Sequence, residues 1–400
     1  MNLKLGMMAA AVAIVGVGLI FTFQRPPSAA VQRGFRGTGM DQVFNAQELA
    51  VKQYANQLPP VVPADEPSGT PSSAVYSNVQ VLGDVDAVEF GRLMTAMTNW
   101  VSPQQGCNYC HNPENMASDE IYTKVVARRM IQMVRHINAD WKTHVAGTGV
   151  TCYTCHHGQP VPANVWFVSP GPPQSLGALG NRAGVSAPTL SPGMSSLPYD
   201  PFTPFLEQDN EIRVVSTTAL PDADHKSIKQ TEWTYALMMH FSQALGVNCT
   251  FCHNSRSFYD WSQSTPQRNN AWYGIRMVRD LNAHYLDPLK ATLPPLRWGP
   301  LGDGPKVNCA TCHQGAYKPL FGASMVKDYL ELAGIPGSPE APTPGAPVVP
   351  ATPASSPTAA PGGPAADTPA RDTQAPVPAP VASPPDGRTP ATPPKPSTGQ

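Results

Sequence analysis

Four times in this chain two cysteines stand three positions apart with a histidine directly after the second. The runs are Cys107-Asn-Tyr-Cys110-His111, Cys152-Tyr-Thr-Cys155-His156, Cys249-Thr-Phe-Cys252-His253 and Cys309-Ala-Thr-Cys312-His313. They use all 8 cysteines of the 400 residues. C-x-x-C-H is the signature of covalent c-type haem attachment. The two thiols add to the two vinyl groups of one porphyrin. One short turn sets both sulfurs at the porphyrin edge and swings the adjacent imidazole under the iron. Structural zinc, a disulfide framework and thioredoxin-like redox pairs are the competing readings. None of them requires a histidine after every pair. The motifs predict four covalently bound haems, leaving no thiol for a disulfide, a nucleophile or a lipid anchor.

Around the motifs the chain divides by composition. Gly6 to Phe23 is uncharged and mainly apolar, about 27 Å long as a helix. Residues 1–23 read as a membrane anchor, with a signal peptide cleaved near Ser28-Ala29-Ala30 as the alternative. Arg25, Arg33 and Arg36 behind it weaken a positive-inside argument. Haem attachment outside the cytoplasm places the bulk of the chain in the periplasm instead. Residues 24–86 read as an extended arm, 87–160 as a first dihaem unit, 161–230 as a connecting segment and 231–330 as a second dihaem unit. Residues 331–400 read as a disordered Pro/Ala-rich tail. Helical periodicity runs over 87–100, 120–142, 231–245 and 269–285, and 159–206 is rich in Pro, Gly and Ser. The fold class expected is mainly α with extensive irregular loops, a multihaem cytochrome c built from two pseudo-repeated dihaem units. The repeat rests on Met133-Val-Arg-His-Ile-Asn-Ala-Asp-Trp141 answering Met277-Val-Arg-Asp-Leu-Asn-Ala-His-Tyr285, 144 positions on. Its length exceeds that of a solenoid repeat.

An electron carrier fills both axial positions of its irons, and methionine is the commonest partner of histidine in c-type carriers. Candidates precede each motif: Met94 or Met97, Met130 or Met133, Met238 or Met239, and Met277. The first two pairs are spaced i, i+3 and share a helix face, so spacing does not choose between members. The same residues would serve equally as packing in an irregular core. The repeat aligns Met133 with Met277, Met130 with Gly274 and His144 with Pro288. If Met133 is a ligand, Met277 is its counterpart and all four sites are His/Met. If Met130 is the ligand, the fourth haem needs another donor, and His144 is available. His136, His157, His225, His240 and His284 read as surface or packing histidines. Arg128, Arg129, Arg276 and Arg279 fit either haem propionates or solvated helix faces.

Several stretches resemble one family. Thr231–Asp280, with Cys249-Thr-Phe-Cys252-His253-Asn254 and Gly274-Ile275-Arg276-Met277-Val278-Arg279-Asp280, is similar to the tetrahaem cytochrome subunit of purple-bacterial photosynthetic reaction centres. Leu93-Met94-Thr95-Ala96-Met97-Thr98, Val125-Val126-Ala127-Arg128-Arg129-Met130, Asp200-Pro201-Phe202-Thr203 and Lys318-Pro319-Leu320-Phe321-Gly322 extend the match over roughly residues 75–330. The resemblance implies sixth ligands of three methionines and one histidine. These are Met94 for the haem on His111, Met130 for that on His156, Met238 for that on His253 and His144 for that on His313. It implies a non-enzymatic electron carrier on the periplasmic face of the photosynthetic membrane, bound to core subunits of L and M type, with light-harvesting antenna around them. Electrons enter at the haem on His111 from a soluble c-type cytochrome or high-potential iron-sulfur protein. They leave from the haem on His253 to a photo-oxidised bacteriochlorophyll pair. Bis-histidine ligation lowers a haem potential relative to His/Met, so the haem on His313 is expected below its neighbours. The family is usually lipid-anchored through an N-terminal cysteine, which this chain lacks.

A stand-alone periplasmic tetrahaem carrier is the runner-up, and a multihaem reductase, which needs one open iron, is the third reading. With 14% charged residues and a net charge of -1 the chain has no basic surface for nucleic acid.

Overall fold

The computed structural model describes residues 3–22, 29–32, 41–171, 186–214 and 227–334. The expected Pro/Ala-rich tail beyond 334, Arg25, Arg33, Arg36 and His225 lie outside the described residues. Along the chain run α1 (Leu3–Thr22), the antiparallel pair β1 (Ala29–Gln32) and β2 (Asp41–Phe44), α2 (Ala46–Ala55), α3 (Ser72–Val75), α4 (Ala87–Val101), α5 (Tyr122–Asp140), α6 (Lys142–Val145) and α7 (Cys152–His156). The hairpin of β3 (Ser186–Pro188) and β4 (Ser196–Pro198) follows, then α8 (Ile228–Leu245), α9 (Pro266–Leu281) and α10 (Cys309–His313). Helices joined by long irregular loops match the coarser part of the expected fold class, a mainly helical multihaem cytochrome c.

The four long helices near the motifs fall where the apolar periodicity puts them. In α4 the side chains of Leu93, Ala96 and Trp100, three and four apart, are all buried. Asp86 caps its start, accepting a hydrogen bond from the Val88 amide at 2.9 Å. Ser227 and Gln230 form a capping box at the head of α8, and Gly246 ends it at φ 65°, a left-handed turn that a side chain would strain. Pro266 at the first turn starts α9. In α5 and α9 the stripes Ile131, Val134, Ile137 and Ile275, Val278, Leu281 face one shared core, which Trp100 and Tyr329 close edge to face at 4.7 Å.

Three expectations change. The segment 24–86 is not extended throughout, because Asn45 accepts from the amides of Gln47 (2.9 Å) and Glu48 (3.4 Å) and starts α2. The connecting segment likewise contains the β3–β4 hairpin. The single-pass anchor expected of residues 6–23 is not supported. Helix α1 ends at Thr22, its side chains are described only from Gly6, and among the described residues no helix is long and apolar enough to cross a membrane. Its apolar side chains, Ile14 and Phe21 among them, are exposed.

Candidate functional site

The motifs take two local shapes. The first and third form tight 3-10 turns, Gly106–Tyr109 and Cys249–Phe251, each followed by a short bridge, Asn112 to Asn115 and Asn254 to Ser257. The second and fourth form the five-residue helices α7 and α10. Capping boxes of Thr151 with Thr154 and Asn308 with Thr311 start them, and the left-handed residues His157 and Gln314, both at φ 46°, stop them. Either shape carries the backbone through one turn between the cysteines, so the histidine projects to the same side as the thiols.

All eight cysteines and the four motif histidines line one continuous cavity of about 2210 Å³. His144, Met94, Met97, Met130, Met133, Met238 and Met277 lie on its wall, while Met239 does not. Met133 and Met277 are buried in the hydrophobic core, whereas Met94, Met97, Met130 and Met238 only pack against it.

The motif histidines share one hydrogen-bonding arrangement. Nδ1 of His111 faces the Met116 carbonyl at 2.9 Å, His156 that of Gln159 at 2.8 Å, His253 that of Phe258 at 2.8 Å and His313 that of Ala316 at 2.9 Å. A carbonyl only accepts, so Nδ1 carries the proton and Nε2 keeps its lone pair for a metal. His144 matches them, with Nδ1 2.9 Å from the Asn270 carbonyl. Burial holds His144, His156 and His253 below the usual imidazole range and His313 at about 4, which keeps these rings neutral.

His144 and His313 confront each other across the cavity with ring centroids 6.1 Å apart. Gly274 makes room for the arrangement. A Cβ at that position would stand 2.6 Å from Cε1 of His144. The two imidazoles therefore present a pair of nitrogen donors of the kind that haem iron takes. At the other three motifs, the methionines on the cavity wall are the available thioethers.

Burial pushes the thiols of Cys152 and Cys309 up to about 12 and that of Cys252 up to about 11. Among the described residues no group of three or more His, Cys, Asp or Glu could hold a metal ion. One expectation is at odds with the structure. Cys155 and Cys312 are joined as a disulfide, their Cα atoms 4.5 Å apart, because α7 and α10 pack side by side and bring the second cysteines of two motifs together. A disulfide and haem thioethers exclude one another at these sulfurs.

The arginines divide. Arg128 makes a fork on Asp119, two bonds of 2.8 Å that hold that carboxyl at about 2, and Arg129 lies 4.6 Å over the Tyr285 ring, bonded to the His284 carbonyl. Arg128 also lines the cavity, as do Arg276, stacked on Trp272, and Arg279, paired with Asp209 at 2.5 Å. So do Arg213, Arg268 and Arg297, which the sequence reading passed over. No local motif marks them. Of the remaining histidines, His240 is buried against Phe202, and His157 receives a bond from Gln314 at 2.7 Å.

The family model described as photosynthetic reaction centre cytochrome C subunit matches residues 24–333. The photosynthetic reaction center cytochrome c subunit of Rubrivivax gelatinosus is 51% identical over 328 residues, 82% of this chain and 89% of that protein. The subunit of the same name from Thermochromatium tepidum is 52% identical over 321 residues, 80% and 78% of the two chains. That of Roseobacter denitrificans is 42% identical over 347 residues, 80% and 90%.

Proposed function

The chain belongs to the photosynthetic reaction centre cytochrome c subunit family, and from that premise we propose that it is the electron-donating subunit of a reaction centre. In this reading it carries electrons from a soluble periplasmic donor through four c-type haems to the photo-oxidised bacteriochlorophyll pair. The partners are the L- and M-type core subunits, the surrounding antenna, and a soluble cytochrome c or high-potential iron-sulfur protein as donor. The observation that carries it is the shared state of the motif histidines, each with Nδ1 on a backbone carbonyl and Nε2 free, around one cavity that also holds all eight cysteines.

Haem iron supplies reversible one-electron exchange, and the chain's residues hold it, orient it and tune it. The cysteines fix each porphyrin edge. The carbonyls of Met116, Gln159, Phe258 and Ala316 fix the tautomer and rotation of each imidazole. Met94, Met130 and Met238 serve the haems on His111, His156 and His253, and His144 serves the one on His313. The 6.1 Å facing of His144 and His313 and the room left by Gly274 support the last assignment. The matching turns of motifs one and three and matching helices of two and four support two pseudo-repeated dihaem units. Were His144 and the three methionines to hold the irons opposite the motif histidines, no iron would be open to substrate, which supports a carrier rather than an enzyme. Attachment to the periplasmic face of the membrane runs through the apolar, exposed face of α1 and the core subunits.

Flash spectroscopy of membranes containing the subunit tests the function. A saturating flash is expected to oxidise one haem and to re-reduce the pigment pair. Absence of any haem oxidation in reduced membranes would sink the reading.

A further inference from the structure

Four buried polar side chains, none of them a haem ligand, tie the four attachment turns to α5 and α9. At the N-terminal end of α5 the hydroxyl of Thr123 donates to the carbonyl of Tyr109, the residue before Cys110. At the head of α9 that of Thr265 donates to the carbonyl of Phe251, the residue before Cys252, at 2.6 Å. At the other end of α5, Asn138 grips Val150, two residues before Cys152: its Nδ2 donates to the Val150 carbonyl at 2.9 Å and its Oδ1 accepts from the Val150 amide at 2.7 Å. Just past α9, Asn282 does the same to Val307, two residues before Cys309, at 3.1 and 2.9 Å. The second donor of each amide reaches a further segment, the Leu332 carbonyl at 2.8 Å for Asn138 and the Leu206 carbonyl at 3.0 Å for Asn282. All four residues are buried, with Asn282 fully so. Gly149, at φ +61°, lets the chain close over Asn138, where a Cβ would stand 2.9 Å from Oδ1.

We propose that Thr123, Asn138, Thr265 and Asn282 are positioning residues that make α5 and α9 two rigid spacers, each clamping one haem-attachment turn at either end. From Thr123 to Asn138 the helix advances about 22 Å, and from Thr265 to Asn282 about 25 Å. A helix does not stretch, and a buried asparagine with three satisfied bonds has one orientation. The distance and tilt between two haems of a pair are thereby set by backbone length rather than by loop packing. Electron tunnelling between haems depends steeply on that distance. The proposal rests on the four-haem reading above.

The test uses the intact membrane-bound subunit. Haem content per chain and the four midpoint potentials are measured for the native chain, Asn282→Leu, Asn282→Asp, Thr265→Val and Thr265→Ser. Fewer than four haems in the native chain would overturn the four-haem reading itself. With four haems present, Asn282→Leu is expected to shift the redox equilibrium of the haem on His313 alone by about tenfold, or about 59 mV for a one-electron couple. Thr265→Val is expected to move only the haem on His253, and Thr265→Ser, which keeps the hydroxyl, to restore it. Should Asn282→Leu not assemble, Asn282→Asp keeps the acceptor for Val307 and gives a smaller shift at the same haem. Four unchanged potentials, or four shifting together, would overturn the positioning role.

Discussion

The contact of Gly274 with His144 binds two halves of the chain at one atom's width. Position 274 aligns with Met130 in the repeat, and the space a methionine would occupy is taken instead by a ring from the other half. The stretch Asn270–Gly274 supplies both the carbonyl that orients His144 and the gap that admits it. Gly274→Ala therefore places a methyl group 2.6 Å from a ring atom, an overpacking that typically costs about 1–3 kcal/mol. The expected result is a change in the absorption and potential of the haem on His313 alone, in the direction of His144→Ala. Met277→Ala, a core change by its burial, is expected to lower stability and leave all four haem spectra in place. A Gly274→Ala spectrum identical to the native one, or a Met277→Ala chain missing an axial ligand, would reverse the assignment. The motif cysteines and histidines were legible because attachment fixes their spacing. For His144 the residues alone left the choice open with Met277, and the resemblance supplied it; the carbonyl that holds its ring lies 126 residues away, so no local pattern marks it.

Between elements, α5 and α9 meet through a polar cluster on their C-terminal ends. Asp280 accepts from His136 Nε2 at 2.7 Å, from Trp141 Nε1 at 2.9 Å and from His284 Nδ1 at 2.7 Å, while His136 Nδ1 reaches Asp140 at 2.8 Å. The bond from Asp280 raises the pKa of His136. Burial works against the Asp280 carboxylate, but the bonds from His136, Trp141 and His284 still hold it below its usual range. A raised histidine contributes stability fully below its unfolded value of about 6.5 and loses it as pH climbs through the folded value. A depressed aspartate contributes above about 3.9 and loses it as pH falls through its lower folded value. The cluster thus stabilises most between those limits. Because the groups are partly exposed, the effect is at most about 1 kcal/mol, or about 2–4 °C in Tm. The Tm of the native chain is expected to fall from pH 6 to 9 by more than that of His136→Gln, and parallel curves would dismiss the cluster. The two helices were readable from periodicity, yet this contact was not, because the polar residues carry no apolar signal. In α2 the signal was present and passed over: Asn45 followed three residues later by Glu48 is a helix-start pattern.

At the scale of the molecule the charge count changes meaning. Each haem brings two propionates, so the loaded subunit is more acidic than the sequence value of -1, and Arg213, Arg268, Arg276, Arg279 and Arg297 are among the cavity-lining cations available to offset them. The same loading decides between two fates for the middle of the molecule. Packing of α7 on α10 joins Cys155 to Cys312, and in the proposed reading those two sulfurs are the second attachment points of the haems on His156 and His313. Each of those motifs keeps an independent commitment to haem: a capped helix, a neutral histidine with Nε2 free, and a place on the common cavity. A disulfide would leave the buried Cys152 and the half-buried Cys309 as lone thiols and waste both arrangements. Mass spectrometry of the denatured, unreduced subunit is therefore expected to give the polypeptide plus four haems, with haem-bearing peptides at all four motifs. A peptide joining Cys155 to Cys312, with haem missing from the second and fourth motifs, would overturn the four-haem count. The same mass reports whether residues 1–30, and α1 with them, remain on the mature chain.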